Sequence, residues 1–235
     1  MSKIVLGTMK LKKYFNTSRE LAIFLSYAHN EGIRQLHVSS EYDSYNLLVK
    51  SIKKLNKKKF TFILKLPESK NDQVKFSIKR FMQKINKYRK DLGKKHIFII
   101  QLVNRYKCKN RKEYLLYEEK IFDTVKNMVI KLKKFNLIKS FYFFPYFENE
   151  SKIRKYKFIT GITVYRNPYE KQNDNYAKQN KFKIIAMRIF GGDKRLLNNK
   201  NLKKLIMFNL KNKLVSKVIV GANNKAQLDE LLKVC

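Results

Sequence analysis

Carboxylates, glycine, proline and cysteine are all scarce in this chain of 235 residues, and each scarcity excludes something. Seven glycines and three prolines leave no Gly/Pro/Ser-rich linker, so one domain spanning 1–235 is expected. Two cysteines, Cys108 and the terminal Cys235, give neither a disulfide framework nor a metal-binding spacing. A reducing cytoplasm is the natural compartment for such a chain. The 18 acidic residues are scattered, which argues against a metal site or a paired-carboxylate site. No stretch approaches the roughly 18 apolar residues of a membrane span. The opening MSKIVLGTMKLKKYF holds no apolar run long enough for a signal peptide.

Positive charge is present in excess. The formal net charge is +36, carried by 54 basic residues, of which 44 are lysine and 10 arginine. Specific readout of phosphate and base edges favours the arginine fork. Here the lysines run along the whole chain beside many Asn and Ile, a compositional drift rather than a dedicated patch. Nucleic acid is therefore expected to bind only nonspecifically, through net charge at low salt. With 44% hydrophobic residues, the chain has ample material for a core.

Short apolar or β-branched runs alternate with longer amphipathic segments. Strands are expected at 3–9, 33–39, 60–67, 96–103, 138–145, 158–165, 183–190 and 216–222. Helices are expected at 17–32, 45–56, 71–93, 118–136, 201–213 and 225–234. Thr17 or Ser18 would cap the first helix, with Glu20 at the capping-box position and Gly32 as its stop. Asn71 or Asp72 would cap the third, with Gly93 ending it. The segment after the fifth strand, ENESKIRKYK, is a weak helix. Eight strand units in 235 residues give a period of about 29. Alternation of this kind implies parallel βαβ units, and continuously apolar strands such as IFIIQLV imply a sheet covered on both faces. The expected class is α/β, a closed (β/α)8 TIM barrel, compact with short loops. An open doubly wound sheet is the alternative, but no G-x-G-x-x-G follows a strand.

In such a barrel, chemistry belongs at the C-terminal strand ends. Those positions hold Gly7, Thr8 and Met9; His37 through Tyr42; Lys65; Val103, Asn104 and Arg105; Phe144, Pro145 and Tyr146; Tyr165, Arg166 and Asn167; and Arg188 with Gly191 and Gly192. The last strand ends in Gly221, Ala222, Asn223 and Asn224. Lys65 stands out within an otherwise apolar strand. A lysine there can acidify a neighbouring phenol or form an imine; it can equally be a strand-end lysine reaching for solvent. His29, near a helix C-terminus, reads as a favourable partial charge, and His96 carries no assigned role. FYFFPYF reads as barrel core rather than a base-stacking surface.

Four segments, in this order, are similar to the aldo/keto reductases: VLGTMKL, GIRQLHVSSEY, FILKLP, and KIIAMRIFGGD followed by KVIVGANNKAQLDELL. The resemblance runs over nearly the whole chain. It implies a (β/α)8 enzyme that reduces a small carbonyl substrate by hydride transfer from NADPH, or NADH. It places the general-acid tyrosine on Tyr42 and the lysine that acidifies it on Lys65. The family's aspartate falls on His37 and its histidine on Val103, so the catalytic group is altered. Asp43 is a candidate to take over the pairing with Lys65. Resemblance also implies cofactor binding by Gly7, Thr8, Met9, Arg188, Gly191, Gly192, Gly221, Ala222, Asn223, Asn224, Gln227 and Glu230. Asn224 stands where many members carry Arg, and Leu231 where Asn is usual, which weakens the expected NADP grip. Two function classes stay open: an NAD(P)H-linked oxidoreductase with an altered site, and a non-catalytic barrel acting as a binding or scaffold protein.

Overall fold

Each expected strand forms, and the eight close on themselves. The computed structural model describes residues 3–55, 57–67, 75–104, 106–146, 153–171, 173–191 and 201–234. The strands are β1 (Ile4–Gly7), β2 (Gln35–Val38), β3 (Thr61–Pro67), β4 (Ile97–Val103), β5 (Ser140–Phe143), β6 (Gly161–Tyr165), β7 (Lys183–Met187) and β8 (Val215–Val220). All neighbours pair in parallel, and β8 returns to β1 through Val5 opposite Ile219, closing the barrel. The architecture is the (β/α)8 barrel.

Among the described residues the helices are α1 (Ser18–Asn30), α2 (Tyr45–Lys54), α3 (Ile78–Leu92), α4 (Arg111–Lys134), α5 (Asn173–Gln179), α6 (Leu202–Leu210) and α7 (Lys225–Leu232). A full capping box opens α1: the Thr17 side chain accepts from the Glu20 amide, and Glu20 answers to the Thr17 amide. Four expectations need correction. Helix α3 begins at Ile78, capped by Ser77, and residues 75–77 are not helical; Asn71 and Asp72 lie outside the described residues. Helix α4 starts seven residues earlier than expected, because Asn110 caps it by accepting from the Glu113 amide. Helix α5 was not expected at all: only Tyr176 and Ala177 are buried in its seven residues, too little for an apolar period to show. After β5 a short 3-10 turn at Ile153–Lys155 stands where a weak helix was expected.

The barrel is packed on two surfaces. Outward strand side chains meet the helices in one large core, for example Leu6, Leu36, Phe62, Ile100, Phe141 and Ile162. Inward residues Val5, Ile63, Ile99, Tyr142 and Ile185 fill the middle of the barrel. Tyr142 is large for that space, and Gly161 on the neighbouring strand makes room for it. A Cβ at Gly161 would lie 1.9 Å from the Lys183 carbonyl oxygen and 2.8 Å from a Tyr142 ring carbon. Below this layer Lys217 donates to the Gln35 side chain, and burial draws the Lys217 ammonium down to about 8. Above it, toward the C-terminal strand ends, the interior turns polar again. No described helix is long and apolar enough to cross a membrane.

Candidate active site

Position in β2 decides what His37 can do. Strand side chains alternate, so Gln35 and His37 both point inward while Leu36 and Val38 pack outward. His37 is only 6% exposed and sits one layer above the apolar filling. Its Nε2 lies 2.6 Å from Gln101 Oε1, on β4. Gln101 is buried too, and its amide nitrogen lies 2.9 Å from Thr163 Oγ1 and 3.4 Å from Met187 Sδ. The thioether accepts and cannot donate, so this end of the amide is the NH2. Thr163 in turn donates to the Phe143 carbonyl at 3.4 Å. The carbonyl can only accept, which fixes the direction of the whole chain. Gln101 Oε1 therefore accepts, His37 carries its proton on Nε2, and Nδ1 is left as a bare acceptor.

That acceptor faces the loop after β2. Tyr42 Oη is 3.5 Å from His37 Nδ1, so the phenol donates to the ring through a long contact. The Lys65 ammonium lies 5.8 Å from the centre of the Tyr42 ring. Burial pushes the His37 imidazolium down to about 4; Gln101 opposes this and the Lys65 charge adds to it. The imidazole is neutral at pH 7.

Neighbouring residues hold this group in place. The Tyr88 hydroxyl, from α3, accepts from the Ser40 amide at 2.6 Å and donates to the Lys65 carbonyl at 3.2 Å. One phenol thus ties the Tyr42 loop to the Lys65 strand. Ser44 precedes α2 but does not cap it with its side chain; its hydroxyl donates instead to the Thr8 carbonyl at 2.6 Å. Asp43 is exposed, just before α2.

Tyr42, Lys65 and His37 all line one cavity of about 480 Å3 at the C-terminal mouth of the barrel. Gly7, Met9, Arg188, Gly221 and Asn223 line it as well, and Val103 closes its floor with Gln101. Among the described residues no carboxylate faces it. Its wall from β5 to β7 is aromatic, with Phe144, Tyr146 and Tyr165.

The remaining predicted residues sit elsewhere. Thr8 is buried and donates to the His37 carbonyl at 2.8 Å, holding β1 to β2 rather than facing the cavity. Ala222 is buried behind the wall, Gly191 closes a turn onto the Arg188 carbonyl, and Glu230 is exposed on α7. Asn224 caps α7 by accepting from the Gln227 amide at 2.9 Å, and the Gln227 side chain accepts from the Asn223 amide at 2.9 Å. Gly192 lies outside the described residues, as does Arg105. Arg166 is a structural residue: buried, it grips Asp174 through two hydrogen bonds and reaches Asn209 at 3.0 Å.

Gln101 and Thr163 were not expected from the sequence. Both are polar residues inside apolar strands, IFIIQLV and GITVY, and that anomaly is the signal that could have found them.

The wall at Gly221 is open. A Cβ added to Gly221 would meet nothing within 4 Å, and its φ is not left-handed, so the fold itself does not require glycine there. Its bare backbone leaves space for a ligand to approach the wall. Against that, the α7 entrance is partly satisfied by its own Asn224 and Gln227 side chains, which compete with an anion for those amides.

No family model matches the chain, and no curated protein matches it in sequence. Solved structures do match in fold. An aldo-keto reductase of Bacillus halodurans in its holo form superposes with a TM-score of 0.71 at 12% identity, over 99% of this chain and 86% of that one. One from Brucella melitensis gives 0.68 at 14%, over 100% and 89%. One from Klebsiella pneumoniae in complex with NADPH gives 0.68 at 11%, over 100% and 85%. At these identities the likeness is one of fold.

Proposed function

We propose that this chain is an aldo-keto reductase-like oxidoreductase that reduces a small carbonyl compound with NADPH or NADH. The observation that carries the reading is the meeting of Tyr42, Lys65 and His37 at one cavity in the barrel mouth. The fold neighbours support it, since those cited are named aldo-keto reductases and one holds NADPH.

Tyr42 is the general acid. Its phenol lines the cavity beside Lys65, and an ordinary phenol near pKa 10 needs help to give up its proton at neutral pH. Lys65 supplies that help as a positive charge beside the ring. His37 differs from a carboxylate at this place. Being neutral, it brings no negative charge to the lysine, and it holds the Tyr42 hydroxyl by its Nδ1 lone pair. Val103 offers no proton and no hydrogen bond to a substrate oxygen, so polarisation of the carbonyl falls to Tyr42 and Lys65 alone. Gly7, Met9, Gly221 and Asn223 would hold the nicotinamide dinucleotide, which supplies the hydride when bound. The altered group lowers the turnover expected of such a site.

The test is a screen of aldehydes and ketones with NADPH, with Tyr42→Phe as the control. Loss of the general acid should cost roughly 10²–10⁴-fold in kcat. A turnover that Tyr42→Phe leaves unchanged sinks the assignment. The second reading, a barrel that binds without catalysis, is favoured by the self-capped α7 entrance and by Val103.

A further inference from the structure

Arg188 is held in an unusual way for a surface arginine. Its backbone is left-handed, at φ 50, and its carbonyl accepts from the Gly191 amide at 2.8 Å, closing a tight turn directly after β7. A non-glycine residue in that region is strained, and such strain persists where the surroundings or a function require it. The turn sets the guanidinium over the Tyr165 ring, 4.3 Å from its centre. Tyr165 continues into Phe144 at 5.1 Å and Phe144 into Tyr146 at 5.0 Å, one ladder of rings along the cavity wall. Tyr165 is 38% exposed and Tyr146 45%, so the ladder is open to a ligand.

Among the described residues nothing takes up the donors of this guanidinium: Arg188 has no side-chain hydrogen bond and no carboxylate partner there. Arg166 shows the contrast: its donors are consumed by Asp174, Asn209 and the Phe208 carbonyl. A guanidinium held over a ring leaves its edge, the fork of N–H donors, pointing away from the ring.

We propose that Arg188, set over Tyr165, anchors the anionic group of a planar organic ligand whose ring lies along Tyr165, Phe144 and Tyr146. The anion is a carboxylate or a phosphate. It belongs to the carbonyl substrate, which is then an aromatic acid. Assigning it to a substrate rests on the reductase reading above; the anion site itself does not.

The probes are 4-(hydroxymethyl)benzoate and benzyl alcohol, which differ by one carboxylate and cannot form imines with the 44 lysines. Binding is measured by calorimetry at 150 mM salt on the full chain, which screens the general field of a +36 protein. The benzoate is expected to bind at least tenfold more tightly. Arg188→Gln should remove most of that gap and leave benzyl alcohol unchanged. Arg188→Lys should restore only part of it, because the charge returns without the fork. A gap that survives Arg188→Gln comes from the overall charge and overturns the proposal, as does equal weakening of both probes. Repeating the titration with saturating NADP+ identifies the source. Benzoate binding that persists assigns the anchor to the substrate; binding that NADP+ displaces overturns that assignment. Absence of carbonyl turnover sinks the reductase reading alone, since every measurement here is of binding.

Discussion

Replacing Gln101 by Leu removes the middle of the buried chain His37–Gln101–Thr163 while keeping a side chain of similar size. His37 Nε2–H then loses its Gln101 acceptor, and that 2.6 Å contact is among the shortest in the core. A buried donor left unsatisfied costs about 1–3 kcal/mol. Thr163 keeps its bond to the Phe143 carbonyl, so no second loss of that size is expected. For a chain of this length 1 kcal/mol corresponds to roughly 2–4 °C in Tm, which gives a drop of about 2–12 °C. The more specific effect is on the ring. Without Gln101 the proton is free to move to Nδ1, turning His37 from an acceptor of the Tyr42 hydroxyl into a donor to it. Nitrogen NMR of the three histidines reads this directly: Nε2–H in the native chain, Nδ1–H or a mixture in the variant. Unchanged His96 and His29 signals show that the barrel is intact. A variant that melts within 1 °C of the native chain and keeps the same tautomer refutes the directed chain.

Two titrating groups should pull stability in opposite directions. Burial pushes the Glu118 carboxyl up to about 8, while His37 is pushed down to about 4. Glu118 stability is full below about 4.5 and is lost as pH rises through 8; the cost to the fold at pH 8 is on the order of 4 kcal/mol at most. His37 works the other way, with stability present above about 6.5 and lost as pH falls through 4. Glu118→Gln should therefore flatten the fall in denaturant stability between pH 6.5 and 8; a fall that persists would falsify the buried-acid assignment. Gly161→Ala is expected to prevent folding or to cost 3 kcal/mol or more, because a Cβ there has no room beside the Lys183 carbonyl. Normal expression and an unchanged melting curve would contradict that packing. Ser77→Ala should cost about 1 kcal/mol, since Ser77 rather than Asn71 or Asp72 caps α3; an equal loss from Asp72→Ala alone would reverse the assignment.

The strands were legible because burial on both faces leaves unbroken apolar runs: IFIIQLV and KVIVG cannot be read as half-exposed. Barrel closure followed from their count and spacing. The cavity positions of Tyr42, Lys65 and His37 followed from strand ends alone, since strand parity sends His37 inward and Leu36 outward. What was not legible depended on partners distant in sequence. Gln101 gains its meaning from His37, Thr163 and Met187, 64, 62 and 86 residues away. Asp43 is close to Tyr42 in sequence, yet the turn into α2 leaves it in solvent. Helix α5 is too polar and too short to show a period; its place is set by Arg166 gripping Asp174. Asn224 and Gln227 matched a cofactor pattern, and in the fold they cap a helix.

The most direct test of the central claim is titration of the purified protein with NADPH and NADH, followed by tyrosine fluorescence at moderate salt. A polyphosphate control is required, because a chain of charge +36 attracts any polyanion. The account predicts saturable micromolar binding that polyphosphate does not displace and that Gly221→Val weakens, since a branched side chain there fills the open wall. Binding that polyphosphate abolishes, or that Gly221→Val leaves untouched, would contradict an oxidoreductase and leave a barrel that binds something else.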